Sequence, residues 1–327
     1  MLLVRTPFRV SFIGGGSDFY NYYKNSPGAV ISTTINKYMY IAINKKFDGK
    51  IRINYSQTEE IERRSDIKHP LVRESLKLFN INSGIEISSQ ADIPSNGSGL
   101  GSSSAYTSGL INGLSTYLGK SLSKMDIANH TCDIEINRCG EPIGKQDQFS
   151  VTFGGFNLFE FNCDDTVCVN PINNADGIRK LEESLLIFYT GQNRVASSIL
   201  LEQNNNLNES QYKAYVKNIV ELVYAFKASL EKSDIKNCGA LINESWFYKK
   251  KLSENVSNDS IDHAHKVAMA NGAYGGKILG AGNGGFIMFL ANKSDHKKIT
   301  KALDFFRPYN FLFDSSGTTV VYNDNKL

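Results

Sequence analysis

The spacing of apolar residues changes several times along the chain, and each change marks an element. Residues 3–13 and 30–43 are strand-length runs of β-branched and aromatic residues; the first is crossed by Pro7 and ends in Gly14-Gly15-Gly16. Residues 50–55 and 85–93 read the same way, with Ile85 and Ile87 alternating against polar partners. From 103 to 118 the period lengthens, and Tyr106, Leu110, Ile111, Leu114, Tyr117 and Leu118 recur at helical spacing. Ser123, with Asp126 three residues on, predicts the N-cap of a helix over 123–139. Strand character returns at 153–161, and the polar, turn-rich stretch 163–177 predicts a linker. Beyond it the pattern predicts a strand over 185–189 and helices over 210–231, 234–252 and 260–271. A Gly-interrupted hairpin over 277–290 and a last strand over 317–322 follow. Strands and helices mixed in two blocks predict an α+β protein of two domains, 1–175 and 176–327.

At about 150 residues per domain, 327 residues agree with two units. The net charge is only +3, from 36 basic and 33 acidic residues, which gives no reason to expect nucleic acid as a partner. The cysteines at 132, 139, 163, 168 and 238 are odd in number and lack Cys-x-x-Cys spacing, so they read as reduced thiols of a cytoplasmic protein. Cys163 and Cys168 flank an acidic turn, but no His or second pair supports a metal there. His263 and His265 fall on different sides of a helix, and His69, His130 and His296 have no companions. Arg5 and Arg9 interrupt any N-terminal apolar run, and 286–291, the longest apolar stretch, is far short of the ~20 residues of a bilayer span. Neither secretion nor a membrane is expected.

The most informative segment is Pro94-Ser95-Asn96-Gly97-Ser98-Gly99-Leu100-Gly101-Ser102-Ser103-Ser104. Three alternating glycines let a backbone turn its N–H groups toward one point, and the helix that follows opens with unpaired amides and a positive dipole end. A phosphate placed there gains hydrogen bonds from both. The serines add oxygens for phosphate or Mg²⁺, which takes one or two protein ligands and fills the rest from phosphates and water. The alternative is a Gly/Ser turn ahead of a helix. This is not a Walker A loop, because no Gly-Lys-Ser/Thr follows. Gly280-Ala281-Gly282-Asn283-Gly284-Gly285 matches Gly-x-Gly-x-x-Gly, yet a strand follows it, so a dinucleotide fingerprint fails its context. It reads as a tight hairpin or as a loop lining a site. Asp147 lies among glycines, and Glu135, twelve positions earlier, sits next to the apolar face of its helix. Buried there, a carboxylate calls for a partner or a metal; exposed, Glu135 is a solvated helix residue and Asp147 a turn former. Asp18 beside the triple glycine suits either sugar hydroxyls or an Asx turn.

Four segments, in order, resemble the GHMP kinase superfamily. They are Arg5-Thr6-Pro7-Phe8-Arg9 through Ser17-Asp18; the Pro94 segment, close to Pro-x-x-x-Gly-Leu-Gly-Ser-Ser; Gly144-Lys145-Gln146-Asp147-Gln148; and Lys277 through Gly285. Ser17-Asp18 after the triple glycine departs from galactokinases and resembles the branch acting on D-glycero-D-manno-heptose 7-phosphate, as does the stretch from Thr190-Gly191 through Arg194 to Ser197-Ser198. Fucokinase-like and galactokinase-like enzymes are the neighbouring alternatives. A silent sugar sensor and an RNA-binding protein are more distant ones.

The resemblance implies an N-terminal domain like ribosomal protein S5 domain 2, a ferredoxin-like C-terminal domain, and ATP and sugar phosphate in the cleft between them. By position, Pro94, Asn96, Gly97, Ser98, Gly99, Leu100, Gly101, Ser102, Ser103 and Ser104 would wrap the ATP phosphates, and Ser103 and Glu135 would hold Mg²⁺. Asp147 would act as base or orienter at the anomeric hydroxyl, with Arg9 facing it. Gly14, Gly15, Gly16, Ser17 and Asp18 would meet the sugar, and Gly280, Gly282, Gly284 and Gly285 would close the site. A second phosphate on the substrate would require basic side chains, for which Lys37, Lys145, Arg179, Lys180 and Arg194 are candidates. The product would be a 1,7-bisphosphate made for nucleotide-activated heptose.

Overall fold

A computed structural model of the chain describes residues 1–93, 97–191 and 196–324. The first half runs β1 (Leu2–Ile13), α1 (Tyr20–Tyr23), β2 (Gly28–Lys45), β3 (Ile51–Asn54), β4 (Thr58–Ile61), α2 (Pro70–Leu78), β5 (Ile85–Ala91), α3 (Ser102–Tyr117), α4 (Lys124–Cys132), α5 (Gln146–Phe153), β6 (Phe156–Phe161) and β7 (Val167–Pro171). The second runs α6 (Ala175–Glu183), β8 (Leu185–Tyr189), α7 (Ala196–Asn206), α8 (Ser210–Glu231), α9 (Ile235–Lys250), α10 (Asp259–Ala270), β9 (Ala273–Ile278), β10 (Phe286–Ala291), α11 (His296–Ala302), β11 (Arg307–Tyr309), β12 (Phe313–Asp314) and β13 (Thr319–Asn323).

Two sheets organise these elements, as an α+β fold requires. The larger has nine strands on the path β13-β1-β2-β5-β3-β4, with β12 and β6 also on β2 and β7 on β6. Besides β1, the long β2 pairs β6 along Gly28–Thr33, β12 at Thr34 and Ile35, and β5 along Met39–Lys45. Pro7 does not end β1; the ladder with β2 takes a bulge between Pro7 and Phe8 instead. The smaller sheet is antiparallel in the order β11-β8-β10-β9, the ferredoxin-like arrangement. The chain's last strands do not stay with it: β12 pairs β2 and β13 pairs β1, so the end of the chain returns to the first sheet.

Helix α3 carries the glycine-rich loop at its N-terminus, and its seat on the large sheet fixes that loop. Gly109 and Gly113 allow the close approach. A Cβ at Gly109 would lie 2.7 Å from Thr6 Oγ1, and one at Gly113 2.7 Å from Ile43 Cδ1. The predicted linker over 163–177 is a correction. Residues 167–171 form β7, an edge strand whose short polar sequence hides it, and the preceding turn is closed by Thr166 N donating to Asp164 Oδ1 at 3.1 Å. The strand expected from 153 begins at Phe156, because Phe153 ends α5 and Gly154 and Gly155, at φ +72° and +77°, make the turn. Among the described residues no helix is long and apolar enough to cross a membrane.

Candidate functional site

The glycine-rich loop lies against β1. Arg9 N donates to Leu100 O at 3.0 Å, and Arg9 Nη1 donates to Gly99 O at 2.6 Å. Gly97, Gly99 and Gly101 all hold left-handed φ, +72° to +75°, a region that side chains strain to enter. From the other lobe, the loop between β9 and β10 packs onto this backbone. A Cβ at Gly285 would meet Ser98 O at 2.6 Å and Gly97 O at 2.7 Å.

Beside the loop opens a cavity of about 490 Å³. It gathers Arg9, Ser11, Gly15, Gly16 and Asp18 from β1 and the turn after it, and Gly97, Ser98, Gly99 and Gly101–Ser104 from the loop. Gln146 and Asp147 enter from α5, Lys249 from α9, and Lys277, Gly280 and Ala281 from the second lobe. Most of the residues singled out in the sequence therefore converge here. Others do not reach the cavity. Gly14 is pressed against Ala29 O, and Ser17 turns inward, its Oγ donating to Gly14 O and Ala29 O. Leu100 puts its side chain in the core and offers only backbone. Gly282, Gly284 and Gly285 shape the hairpin without lining the cavity, Gly282 because Val256 backbone covers it. Pro94, Asn96 and Arg194 lie outside the described residues.

Asp147 is not a turn former; it sits in the first turn of α5, and both its oxygens meet the Arg9 guanidinium. Arg9 is 3% exposed and Asp147 26%, so the carboxylate alone remains within reach of a ligand. Glu135 is neither solvated nor partly buried but fully so. The π-helix Asp133–Arg138, which prolongs α4 from its Ser123–Asp126 capping box, turns it inward. Its Oε1 accepts from Ser103 Oγ and Thr107 Oγ1, both at 2.9 Å; its Oε2 accepts from Ser104 Oγ and Gln148 Nε2, both at 2.7 Å. Burial pushes this carboxyl's pKa up, and the four donors pull it back. Asp18 is held similarly. Its carboxylate accepts from Gly16 N at 2.9 Å and from Gln146 N and Nε2, both at 3.2 Å, while burial raises its pKa.

Sequence reasoning gave no role to Ser11, Gln146 and Lys277, although they lie inside the segments that carry the resemblance, and it missed Lys249, which lies in none of them. The Lys277 ammonium donates to Ser11 O at 3.1 Å and Phe12 O at 3.3 Å, and burial with two cations nearby brings its pKa down to about 7. The basic candidates chosen from sequence lie elsewhere, apart from Arg194, which is outside the described residues. Lys145 is tied to Asp165 at 2.6 Å, Arg179 and Lys180 pair with Asp176 on exposed α6, and Lys37 does not line the cavity. A second cavity, of about 450 Å³, lies across the N-terminus of α3 from the first. Its walls include Tyr55, His69 and Tyr106, the His69 ring stacked 5.2 Å from Tyr106 and edge-on 4.7 Å from Tyr55. No group of three or more His, Cys, Asp or Glu suited to a metal occurs among the described residues.

The sequence pattern of the GHMP kinases N terminal domain matches residues 68–155, and that of the GHMP kinases C terminal domain matches 225–307. Over 312 residues the chain is 32% identical to D-glycero-alpha-D-manno-heptose 7-phosphate kinase of Campylobacter jejuni, covering 91% of this chain and 92% of that protein. The chain belongs to the GHMP kinases. It is 26% identical to the galactokinase of Pyrococcus furiosus, over 92% of each. Among solved GHMP kinase structures, that of a D-glycero-D-manno-heptose 1-phosphate kinase from Bacteroides thetaiotaomicron superposes with a TM-score of 0.81 at 25% identity, covering 99% of this chain and all of that one. The two-domain GHMP kinase fold and an ATP-dependent sugar kinase activity, a phosphotransferase with an alcohol acceptor, follow from this kinship.

Proposed function

We propose that this kinase moves the γ-phosphoryl group of ATP to the anomeric hydroxyl of D-glycero-D-manno-heptose 7-phosphate, giving the 1,7-bisphosphate for nucleotide-activated heptose. The observation that carries this reading is the Asp147 carboxylate. Arg9 holds it in one cavity with the glycine-rich loop on one side and Asp18 on the other. The relative from Campylobacter jejuni supports the choice of sugar.

Phosphoryl transfer asks the protein for position and positive charge more than for covalent chemistry. The loop amides and the N-terminus of α3 receive the nucleotide's phosphates, and Arg9 faces the group in flight. Asp147 orients the anomeric hydroxyl and takes its proton as the sugar oxygen bonds to the γ-phosphorus, the bond to the β-phosphate oxygen breaks, and ADP departs. Asp18, fixed by Gly16 and Gln146, offers its remaining acceptor capacity to ring hydroxyls. The second cavity, with its three aromatic walls, receives the base.

The residues present fit Mg²⁺. Glu135 and Ser103 offer oxygen only, as that ion prefers, and the Gln148 Oε1 atom beside them is buried without a hydrogen-bond partner. Glu135 and Ser103 would hold the ion, which when bound neutralises charge on the phosphates. The test is ADP release measured across heptose 7-phosphate, heptose 1-phosphate, free heptose, fucose, galactose and mevalonate. Turnover of heptose 7-phosphate at least tenfold above every other sugar is expected, and a preference for another member overturns the substrate.

A further inference from the structure

Two buried ammonium groups line the cavity. Lys249 Nζ donates to Gln203 Oε1 at 2.7 Å and to Gly15 O at 3.3 Å, beside the turn that leads to Asp18. Lys277 reaches in from the end of β9 and rests on the carbonyls of Ser11 and Phe12. Its acceptors are neutral, and the charges that act on it, Lys249 and Arg9, are both positive. Arg9 is neutralised by Asp147, and Asp18, which bears on Lys249, is shared with Gly16 and Gln146. The Lys277 ammonium, buried on two carbonyls beside two cations, is costly there unless an anion reaches it.

The spacing along β1 says which anion. Arg9 marks the transfer end, and Ser11 and Phe12, whose carbonyls hold Lys277, are two and three residues further along, roughly 7–10 Å at strand rise. A phosphate ester at the far end of a seven-carbon sugar lies a comparable distance from the anomeric carbon. On the kinase reading, ATP's own phosphates belong to the glycine-rich loop, which Arg9 reaches through Gly99 O.

We propose that Lys249 and Lys277 receive a phosphate monoester carried on the far end of the sugar, and that they set the preference for phosphorylated over neutral sugars. This rests on the kinase reading of the cavity. The two lysines stand where Lys37, Lys145, Arg179 and Lys180, suggested by the sequence, do not reach.

Steady-state kinetics with heptose 7-phosphate and with free heptose test the pair in Lys249→Met and Lys277→Met, which keep the apolar stem, and in Lys277→Arg, which keeps the charge. Each Met variant is expected to lower kcat/KM for the phosphorylated sugar about 10²-fold through KM and to change that for free heptose less than threefold, with Arg restoring part of the loss. Inorganic phosphate is titrated calorimetrically in parallel, with Mg·AMP-PNP saturating the loop. Wild type is expected to bind it, and each Met variant to bind it at least tenfold more weakly. Equal loss of kcat on both sugars assigns the lysines to the transferred group and overturns the proposal, as does phosphate binding unchanged by either Met variant. Should wild type turn over neither sugar while its phosphate binding still depends on both lysines, the substrate reading falls and the anion site stands.

Discussion

The Arg9 guanidinium and the Asp147 carboxylate, 138 positions apart, are joined by two hydrogen bonds, Nε to Oδ1 at 2.8 Å and Nη2 to Oδ2 at 2.7 Å. The remaining arm, Nη1, donates to Gly99 O at 2.6 Å. One planar group therefore locks the carboxylate to the glycine-rich loop, and in the proposed reaction the same side chain would register proton acceptor and phosphoryl donor. Asp147→Asn is expected to leave ATP affinity unchanged and to cut kcat roughly 10²-fold or more, the usual scale for a positioned acid–base group. Arg9→Lys retains charge but not the fork, and is expected to lose a comparable factor. Single-turnover rates beside equilibrium ATP binding check both; near-normal turnover in Asp147→Asn would remove that residue from the chemistry.

Glu135 is the second carboxylate, and its four donors belong to α3 and α5 rather than to its own helix. Glu135→Ala is expected to raise the Mg²⁺ concentration for half-maximal activity at least tenfold. It is also expected to abolish the extra thermal stabilisation that Mg²⁺ gives over ATP alone. A midpoint of unfolding that still rises with Mg²⁺ in the variant would place the ion elsewhere.

The strands and long helices were legible because their patterns are uninterrupted: the strand Leu185–Tyr189 and the helix Ser210–Glu231 fall where periodicity predicts them. The glycine-rich loop was legible because three alternating glycines before a helix have few other uses. The π-helix was not, since its extra residue per turn leaves no mark in residue type, and with it went the full burial of Glu135. Helix α5 was hidden by its short length between Gly144 and Gly154, which made Asp147 resemble a loop residue. Lys249 looks like an ordinary helix lysine in sequence, and Lys277, though it opens the last of the four resembling segments, carries no sign there of what it faces. Only the docking of the second lobe on β1 turns them inward.

Two glycines separate the two halves of the reaction. A Cβ at Gly101 would lie 3.1 Å from Arg9 Cγ and 3.6 Å from its Cζ, at φ +73°; it would push on the arginine rather than stand in the phosphate path. A Cβ at Gly144 would run into the Asp18 carboxylate. Gly101→Ala is thus expected to lower kcat with little change in KM for the sugar, and Gly144→Ala to raise KM for the sugar with ATP affinity intact. Measuring kcat and both KM values in each variant separates the outcomes, and an identical profile for the two would contradict the division.

The Lys277 ammonium gives the cavity a dependence on pH. The charges bearing on it are Lys249 from α9 and Arg9 from β1, and with burial they bring its pKa from 10.5 down to about 7. In the unfolded chain this lysine keeps its proton up to about pH 10.5. Between those limits the unfolded state binds the extra proton, so the unliganded protein gains stability as pH rises, by about 1.4 kcal/mol per unit for one group; below 7 both states are protonated and the gain vanishes. Binding runs the other way, because the sugar's phosphate needs the charged form. With the phosphate a dianion above about pH 6, kcat/KM for the phosphorylated sugar is expected to fall roughly tenfold per unit above pH 7, while that for free heptose stays level. Lys277→Arg, charged throughout, is expected to flatten the fall and to remove the rise in stability measured by denaturant between pH 7 and 9. Parallel pH profiles for the two sugars, in wild type and in Lys277→Arg, would show instead that the titrating group acts on the transferred phosphoryl and not on the one the sugar brings.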